Sequence, residues 1–301
     1  MGDGMYVLGA DENGLGPQLG PLVATACCIE VPNYERVRLR DLGAAIGVTD
    51  SKQSSAFGKM RRAEGFALAL IERSEGRVPE SVDALLELIG PGLSKLRLPC
   101  PGGHTEAQCW SLAMALPAFD GSLDEGRKLI DELEGASLRF HRIRTTLACA
   151  GVLNAEKAHG RSKVQVDLAL FEALINDARA TTSEDLLAIC GMVGGIRAYA
   201  RYFQHLEDAE EYEAQAYRVP GVGDVRFEVK ADDRHLPVAV ASMVGKYVRE
   251  LLMHRIVDYY RADDASLRRV SGYHDPSTKA FVAATKERRR ALPIADACFF
   301  R

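Results

Sequence analysis

The chain has 301 residues, of which 47% are hydrophobic and 27% are charged, and these proportions exclude a disordered, collagen-like or fibrous protein. Its 38 Lys and Arg against 42 Asp and Glu give a formal net charge of −4, which excludes a polycation, so any nucleic-acid-binding surface has to be local. No apolar run approaches the roughly 20 residues of a membrane helix, and the first residues lack the basic region of a signal peptide. We therefore expect a cytoplasmic protein with reduced cysteines.

The N-terminal half predicts a β-hairpin followed by helices. Residues 5–10 form a short apolar run that stops at two acids, and residues 22–31 are rich in strand formers. A loop rich in Gly and Pro separates them. The spacing of apolar residues then predicts helices over 56–73, 79–89, 105–116 and 123–133, with a loop over 91–103.

In the C-terminal half, predicted strands and helices alternate. Residues 164–178 carry apolar side chains at helical spacing, and residues 237–261 form a long amphipathic pattern with a proline at its start. Strands are predicted over 137–144, 185–190 and 225–231, and a last helix over 278–289. This order is typical of an α/β fold with helical additions.

Two pairs of adjacent acids follow predicted strands, Asp11 with Glu12 and Asp232 with Asp233. Neighbouring residues of a strand point to opposite faces, unless a bend or a metal draws them together. Carboxylates gathered at one edge of a sheet repel each other and lose solvation unless a divalent cation neutralises them, and oxygen ligands suit Mg²⁺ or Mn²⁺. Aspartate is also a common turn former and helix cap, so the spacing leaves both explanations open.

Three ordered blocks of the sequence resemble the type 2 ribonuclease H family, which comprises RNase HII and HIII. The blocks are GADENGLGP at residues 9–17 with GPLV at 20–23, TDSKQ at 49–53, and KADD at 230–233 with PVAVASMVGKYVRE at 237–250. A weaker match is the Gly-Tyr pair at 272–273, where the family has Gly-Tyr-Gly-Thr.

The resemblance implies an RNase H-like mixed sheet flanked by helices. It implies a single domain over residues 1–301, with an insertion around 91–160 and a C-terminal helical extension around 262–301. The implied activity is that of a hydrolase, an endonuclease that uses two divalent cations, Mg²⁺ or Mn²⁺, to cut the RNA strand of an RNA/DNA hybrid or ribonucleotides embedded in DNA. We expect that duplex as its partner, no membrane, and a monomer.

Residue by residue, the resemblance also implies a site. Asp11, Glu12 and Asp232 match the family's catalytic, metal-binding acids. The substrate contacts are implied for Asn13, Gly14, Gly16, Ser51, Lys52, Lys246 and Tyr273, with Arg249 able to meet phosphate from the same helix as Lys246.

Two departures from the family pattern concern the loop and the third acid. Leu15 stands where the family carries Arg or Lys. If 164–178 is a helix and 185–190 a strand, Gly191 stands where the family has its third acid. In the other register Asp167 ends a strand at 163–166, but apolar residues keep a helical period on both sides of Asp167, which favours the helix.

With the helical register, one acid has to be replaced from elsewhere. The candidates are Asp167, Asp185 and Asp233. The alternative hypothesis is a non-catalytic protein that binds RNA/DNA hybrids and has kept the fold but lost part of the acid cluster.

Overall fold

The computed structural model describes residues 4–301 except 49–58, 99, 101–111, 204–205, 207 and 293–294. Its centre is a seven-stranded sheet in the order β3-β2-β1-β4-β7-β6-β5. The strands are β1 (Met5–Asn13), β2 (Leu22–Val31), β3 (Arg139–Ala148), β4 (Leu186–Gly191), β5 (Glu210–Glu213), β6 (Ala216–Val219) and β7 (Gly223–Glu228).

Helices cover both faces of this sheet. In the described residues they are α1 (Arg36–Ala45), α2 (Arg61–Glu75), α3 (Val82–Ile89), α4 (Leu93–Arg97), α5 (Leu123–Glu134), α6 (Ala150–Ala158), α7 (Lys163–Arg179), α8 (Leu236–Arg261), α9 (Pro276–Ala284) and α10 (Lys286–Ala291). None of these helices combines the length and apolarity that crossing a bilayer requires. The predicted α/β class, with a mixed sheet and helical additions, is confirmed.

The sheet is mixed around β1, which is antiparallel to β2 and parallel to β4. Because β4 is in turn parallel to β7, the carboxyl ends of β1, β4 and β7 lie along one edge. This edge is where the sequence has its acids.

The long helix α8 packs directly along β1. A Cβ placed on Gly9 would lie 2.2 Å from the carbonyl carbon of Pro237, so this approach leaves no room for a side chain in the strand. One apolar core joins α8 to this face, and a second core joins the other face to α7. The apolar faces whose spacing predicted both helices are therefore the faces that pack against the sheet.

Several predicted boundaries differ from the structure. The strand at 5–10 does not stop at the acids: β1 runs on to Asn13, because β2 continues to pair with it. Residues 112–116 are not helical, and the rest of the predicted helix 105–116 lies outside the described residues. The loop over 91–103 contains the short helix α4, and the helix over 278–289 divides into α9 and α10 at Thr285.

Besides α4, the described elements that were not expected from the sequence include α1, α6, β5 and β6. Helix α1 buries only Leu39 and Gly43, and β5 is exposed along its whole length, so neither has the apolar spacing that marks a helix or a strand. Strand β3 forms one edge of the sheet, pairing with β2, and it lies within the segment 91–160.

Candidate active site

Four carboxylates from three parts of the chain come together at the edge where β1 ends. Asp11 and Glu12 belong to β1, Asp167 to α7, and Asp232 to the turn between β7 and α8. They lie within electrostatic reach of each other: Asp232 raises the pKa of Asp11, and both Asp11 and Asp167 raise that of Glu12. The structure thus brings together the three acids of the motif blocks and the acid on α7.

Asp11 points toward α8. Burial raises the pKa of its carboxyl to about 7, and the negative charge of Asp232 adds to the rise. A hydrogen bond from the Ser242 side chain and the nearby Lys246 ammonium oppose it. Helix α8 therefore supplies one hydrogen bond and one positive charge to this acid, which holds its carboxylate toward the helix.

Glu12 carries the most strongly raised carboxyl pKa of the β1 pair. Burial raises this pKa to about 9, followed by the repulsion of Asp11, Asp167 and Asp232. Three like charges around one carboxylate favour its protonated form as long as no cation is present. A bound cation would reverse that preference.

Asp167 has the most unusual surroundings of the four acids. Its side chain is 0% exposed, and neither carboxylate oxygen has a hydrogen-bond partner. Its pKa is raised well above the usual value, first by burial and then by repulsion from Asp11. A buried carboxylate without donors is costly, so this position makes physical sense with a cation nearby.

The start of α7 fixes the position of Asp167 along the helix. Ser162 and Gln165 form a capping box in which the Ser162 side chain accepts from the Gln165 backbone N–H and the Gln165 side chain accepts from the Ser162 backbone N–H. The capping box anchors the first turn of the helix. Asp167 follows within the next turn, and its neighbours Val166 and Leu168 are buried on either side.

Gly191, at the end of β4, borders the same acids. A Cβ placed on it would lie 2.7 Å from Oδ1 of Asp11 and 3.7 Å from Oε2 of Glu12. The strand position expected to hold the third acid is therefore beside the acid cluster and has no side chain, while Asp167 approaches the cluster from α7.

The other two candidates for the third acid lie elsewhere. Asp185 precedes β4, at the end opposite Gly191, where it is within 3.9 Å of Arg179 and 3.8 Å of Arg218. Asp233 is exposed. Of the three candidates, only Asp167 is placed among the acids.

The loop after β1 packs against α8. Gly14 has φ +97° in the left-handed region, and a Cβ there would lie 2.7 Å from Nε of Arg249, so both its backbone and its packing require glycine. The Asn13 side chain donates a hydrogen bond of 3.4 Å to the carbonyl of Ser242. Gly16 is exposed and has open space around it. The loop is thus fixed at Asn13 and Gly14 and accessible at Gly16.

Leu15, at the position where the resemblance implies a cation, is not a fully exposed residue. It is partly buried and packs on the apolar cluster that includes Leu22, Leu153 and Val166. Its side chain thus connects the loop to the start of α7. The loop contributes backbone groups and no charge to this face.

Tyr273 lies beside the loop and is 49% exposed. The backbone N–H groups of Gln18 and Leu19 donate to the carbonyl of Gly272, which ties the Tyr273 segment to the loop. The guanidinium carbon of Arg249 is 5.4 Å from the Tyr273 ring centroid. An exposed aromatic ring next to a cation suits stacking on a base. Ser51 and Lys52 lie outside the described residues.

The donor set fits a hard divalent cation by its chemistry, since all four acids offer oxygen and the Asp167 oxygens lack any donor. As the side chains stand, no three His, Cys, Asp or Glu side chains of the described residues form a group able to hold a metal ion. A cation bound here would therefore have to draw the carboxylates together, against the repulsion that now raises their pKa values.

The comparisons with known proteins give structural matches only. No family model matches the sequence, and no curated protein matches it. Among solved structures, RNase HII of Archaeoglobus fulgidus, in complex with PCNA, is 18% identical over 98% of this chain and 93% of that chain, with a TM-score of 0.49.

Two further structures are similar to this chain. Ribonuclease H2 of Pyrococcus horikoshii is 18% identical over 98% of this chain and 92% of its own, with a TM-score of 0.47. Bst-RNase HIII in complex with Mn²⁺ is 18% identical over 94% of this chain and 71% of its own, with a TM-score of 0.43. All three bear the name of the family that the sequence blocks resemble.

Proposed function

We propose that this protein is a divalent-metal-dependent endonuclease of the ribonuclease H type, which hydrolyses the RNA strand of RNA/DNA hybrids or cuts at ribonucleotides embedded in DNA. The observation that carries the proposal is the gathering of Asp11, Glu12, Asp167 and Asp232 at one edge of the sheet, with two of them on the loop-proximal end of β1. Mg²⁺ or Mn²⁺ is the proposed cofactor.

The four acids would hold the cations. When bound, a pair of such ions stabilises both the attacking and the leaving oxygen of a phosphoryl displacement and lowers the pKa of the attacking water. Ser242 would orient the Asp11 carboxylate by its hydrogen bond, and Lys246 would balance negative charge beside it.

The substrate face is proposed to follow the loop and its neighbours. Gly16 leaves the loop backbone open, so that a ribose or phosphate can approach it closely. Tyr273 offers an exposed ring beside the same loop. Recognition of the 2′-hydroxyl would distinguish RNA from DNA at this site.

The remaining features of this proposal concern the whole protein. We propose a single RNase H-like domain over residues 1–301, with an insertion around 91–160, of which β3 is part of the sheet, and a C-terminal helical extension around 262–301. The cytoplasmic location and the monomeric state stay predictions.

The experiment is cleavage of end-labelled substrates by the full chain. An RNA/DNA hybrid, a DNA duplex with one ribonucleotide, and an all-DNA duplex are each incubated with Mg²⁺, with Mn²⁺ or with EDTA. We expect metal-dependent cleavage of one or both ribonucleotide-containing substrates, with 5′-phosphate products, and no cleavage by Asp11→Asn. Asp233→Asn is the matched control, since Asp233 is exposed and next to Asp232.

Two outcomes would contradict the proposal. Full activity of Asp11→Asn would show that the reaction does not depend on the acid cluster. Tight binding of the hybrid without cleavage under any metal condition would instead favour the alternative, a hybrid-binding protein whose strand acid was lost at Gly191.

A further inference from the structure

A group of cations lies against the loop after β1, and one of them comes from the far end of the sequence. The backbone N–H of Arg301 donates a hydrogen bond of 3.0 Å to the carbonyl of Gln18, which places Arg301 against the loop after β1. All three nitrogens of its guanidinium are buried and have no hydrogen-bond partner. Nothing in the sequence pattern pointed to this residue.

Arg249, on α8, is the second member of the group. It is 4% exposed, and its Nε also lacks a partner. Its terminal nitrogens have partners: Nη2 donates to the carbonyls of Ser271 at 3.0 Å and Leu19 at 3.4 Å, and Nη1 lies 3.6 Å from Oε1 of Glu250. Arg249 thus retains a free donor on its Nε edge.

Repulsion between neighbouring cations lowers the pKa of two members of the group. Burial and the charge of Arg249 lower the pKa of Arg301 to about 9, with Tyr273 as the one opposing group. Burial lowers the pKa of Lys163 as well, followed by the charges of Arg301 and Lys157. The Arg301 guanidinium itself has no hydrogen-bond partner among the described residues.

The position of Arg301 is built by packing and hydrogen bonds. The Asn154 side chain donates to the carbonyls of Phe300 at 2.6 Å and Ala297 at 2.7 Å, which fixes the segment on α6. The guanidinium carbon of Arg289 lies 4.4 Å from the ring centroid of Phe299. These contacts fix the segment that ends in Arg301, and none of them involves the Arg301 guanidinium.

Buried, unpaired cations destabilise a fold unless an anion joins them. A guanidinium suits phosphate because its fork of donors can make two parallel hydrogen bonds. We propose that Arg301 and Arg249 bind a phosphodiester of the substrate strand, and so supply the positive charge that the loop lacks at Leu15. This inference rests on the proposed function, since it assigns a substrate contact to the same site.

The test is binding of a fluorescently labelled RNA/DNA hybrid to the full chain in EDTA, measured by anisotropy over a series of salt concentrations. Because EDTA prevents metal-dependent cleavage, the assay reports binding alone. Arg301→Gln should weaken binding by roughly tenfold and reduce the slope of log affinity against log salt by about 0.9. Arg301→Lys should retain most of the slope, since it retains the charge.

The matched control is Arg290→Gln, which changes the net charge equally but at an exposed side chain paired with Glu287. It should keep the slope and the affinity of the unmodified chain. Thermal unfolding of each variant shows whether it is folded, and Arg301→Gln should be no less stable, because it removes an unpaired buried charge.

The outcomes separate this inference from the proposed function. An unchanged slope for Arg301→Gln, an equal loss for Arg290→Gln, or no binding of the hybrid by the unmodified chain would overturn the inference. Cleavage by Arg301→Gln at the unmodified rate under sub-saturating substrate would overturn it while leaving the proposed function intact. Loss of binding in Arg301→Gln, in a chain that cuts nothing, would support the phosphate contact and contradict the nuclease.

Discussion

Asp167 is the residue on which the proposed chemistry depends most. Its side chain is fully buried and both oxygens lack donors, yet it is placed beside Asp11 and Glu12. An uncompensated carboxylate of this kind would be costly in a purely structural role. Under the proposed function, Asp167 takes the place of a side chain that Gly191 lacks at the end of β4.

We expect Asp167→Asn to reduce metal-dependent cleavage by about 100-fold or more, because a neutral amide cannot replace a carboxylate facing a cation. Adding Gly191→Asp to that variant should restore part of the activity, by returning the acid to the strand. The Cβ of its new side chain would lie 2.7 Å from Asp11 Oδ1, so the Asp11 carboxyl has to shift to admit it. Cleavage rates of the single and double variants measure both effects.

Asp185→Asn is the control for this pair, since Asp185 lies at the other end of β4. Unimpaired cleavage by Asp167→Asn would mean that three acids suffice and that the burial of Asp167 has another cause.

Stability without metal should fall as the pH rises. Asp11 has a pKa near 7 in the folded chain against its usual 3.8, so between these values the unfolded chain has released the proton and the folded chain still holds it. The folded state then binds more protons, and stability decreases with pH through this window. Glu12, with a pKa near 9, extends the decrease upward.

Thermal unfolding in EDTA at pH 5 and pH 8 checks this prediction. Asp11→Asn should unfold at a higher temperature than the unmodified chain, and by a larger margin at pH 8 than at pH 5. A margin that is the same at both values would contradict the raised pKa of Asp11.

At the scale of elements, regular apolar patterns predict the strands and helices that carry the candidate site. The strands β1 and β2 and the helices α7 and α8 were predicted within a few residues, because each buries an apolar face in a regular period. The approach of α7 to the end of β1 could not be predicted, because it depends on tertiary packing. The same is true of Arg301, which reaches the loop from a distant segment.

Helix α2 is anchored by one buried carboxylate. Glu64 is fully buried and accepts backbone hydrogen bonds from Ala118 at 2.6 Å, Phe119 at 2.7 Å and Gly121 at 2.8 Å. The Tyr247 hydroxyl donates a further bond of 3.1 Å from α8. One side chain thus connects α2, a loop and the helix that carries Ser242 and Lys246.

Glu64→Ala should lower the free energy of unfolding by about 3 kcal/mol, because it removes four hydrogen bonds, three from partly buried backbone N–H groups and one from the buried Tyr247 hydroxyl. Urea denaturation at neutral pH measures the change. Glu72→Ala is the matched control on the same helix: Glu72 makes an exposed pair with Arg127, and its loss should cost at most about 1 kcal/mol. Equal effects of the two variants would contradict the anchoring role.

At the scale of the molecule, the mixed sheet decides which acids meet. Parallel pairing of β1 with β4 and of β4 with β7 brings the end of each strand to one edge, so Asp11, Glu12 and Asp232 converge although more than 200 residues separate them. The motif blocks identified these three acids from the sequence. The net charge of −4 concealed a group of cations at the loop after β1, because Arg249, Arg301 and Lys163 are grouped only by the fold.

The measurement that tests the metal centre most directly is calorimetric titration of the full chain with Mn²⁺, in two buffers of different ionisation enthalpy. We predict saturable binding that releases protons at pH 7, because carboxyls with raised pKa values must ionise to bind a cation. Asp11→Asn should lose this binding. Absence of Mn²⁺ binding by the unmodified chain, or equal binding by Asp11→Asn, would contradict a metal centre at this edge of the sheet.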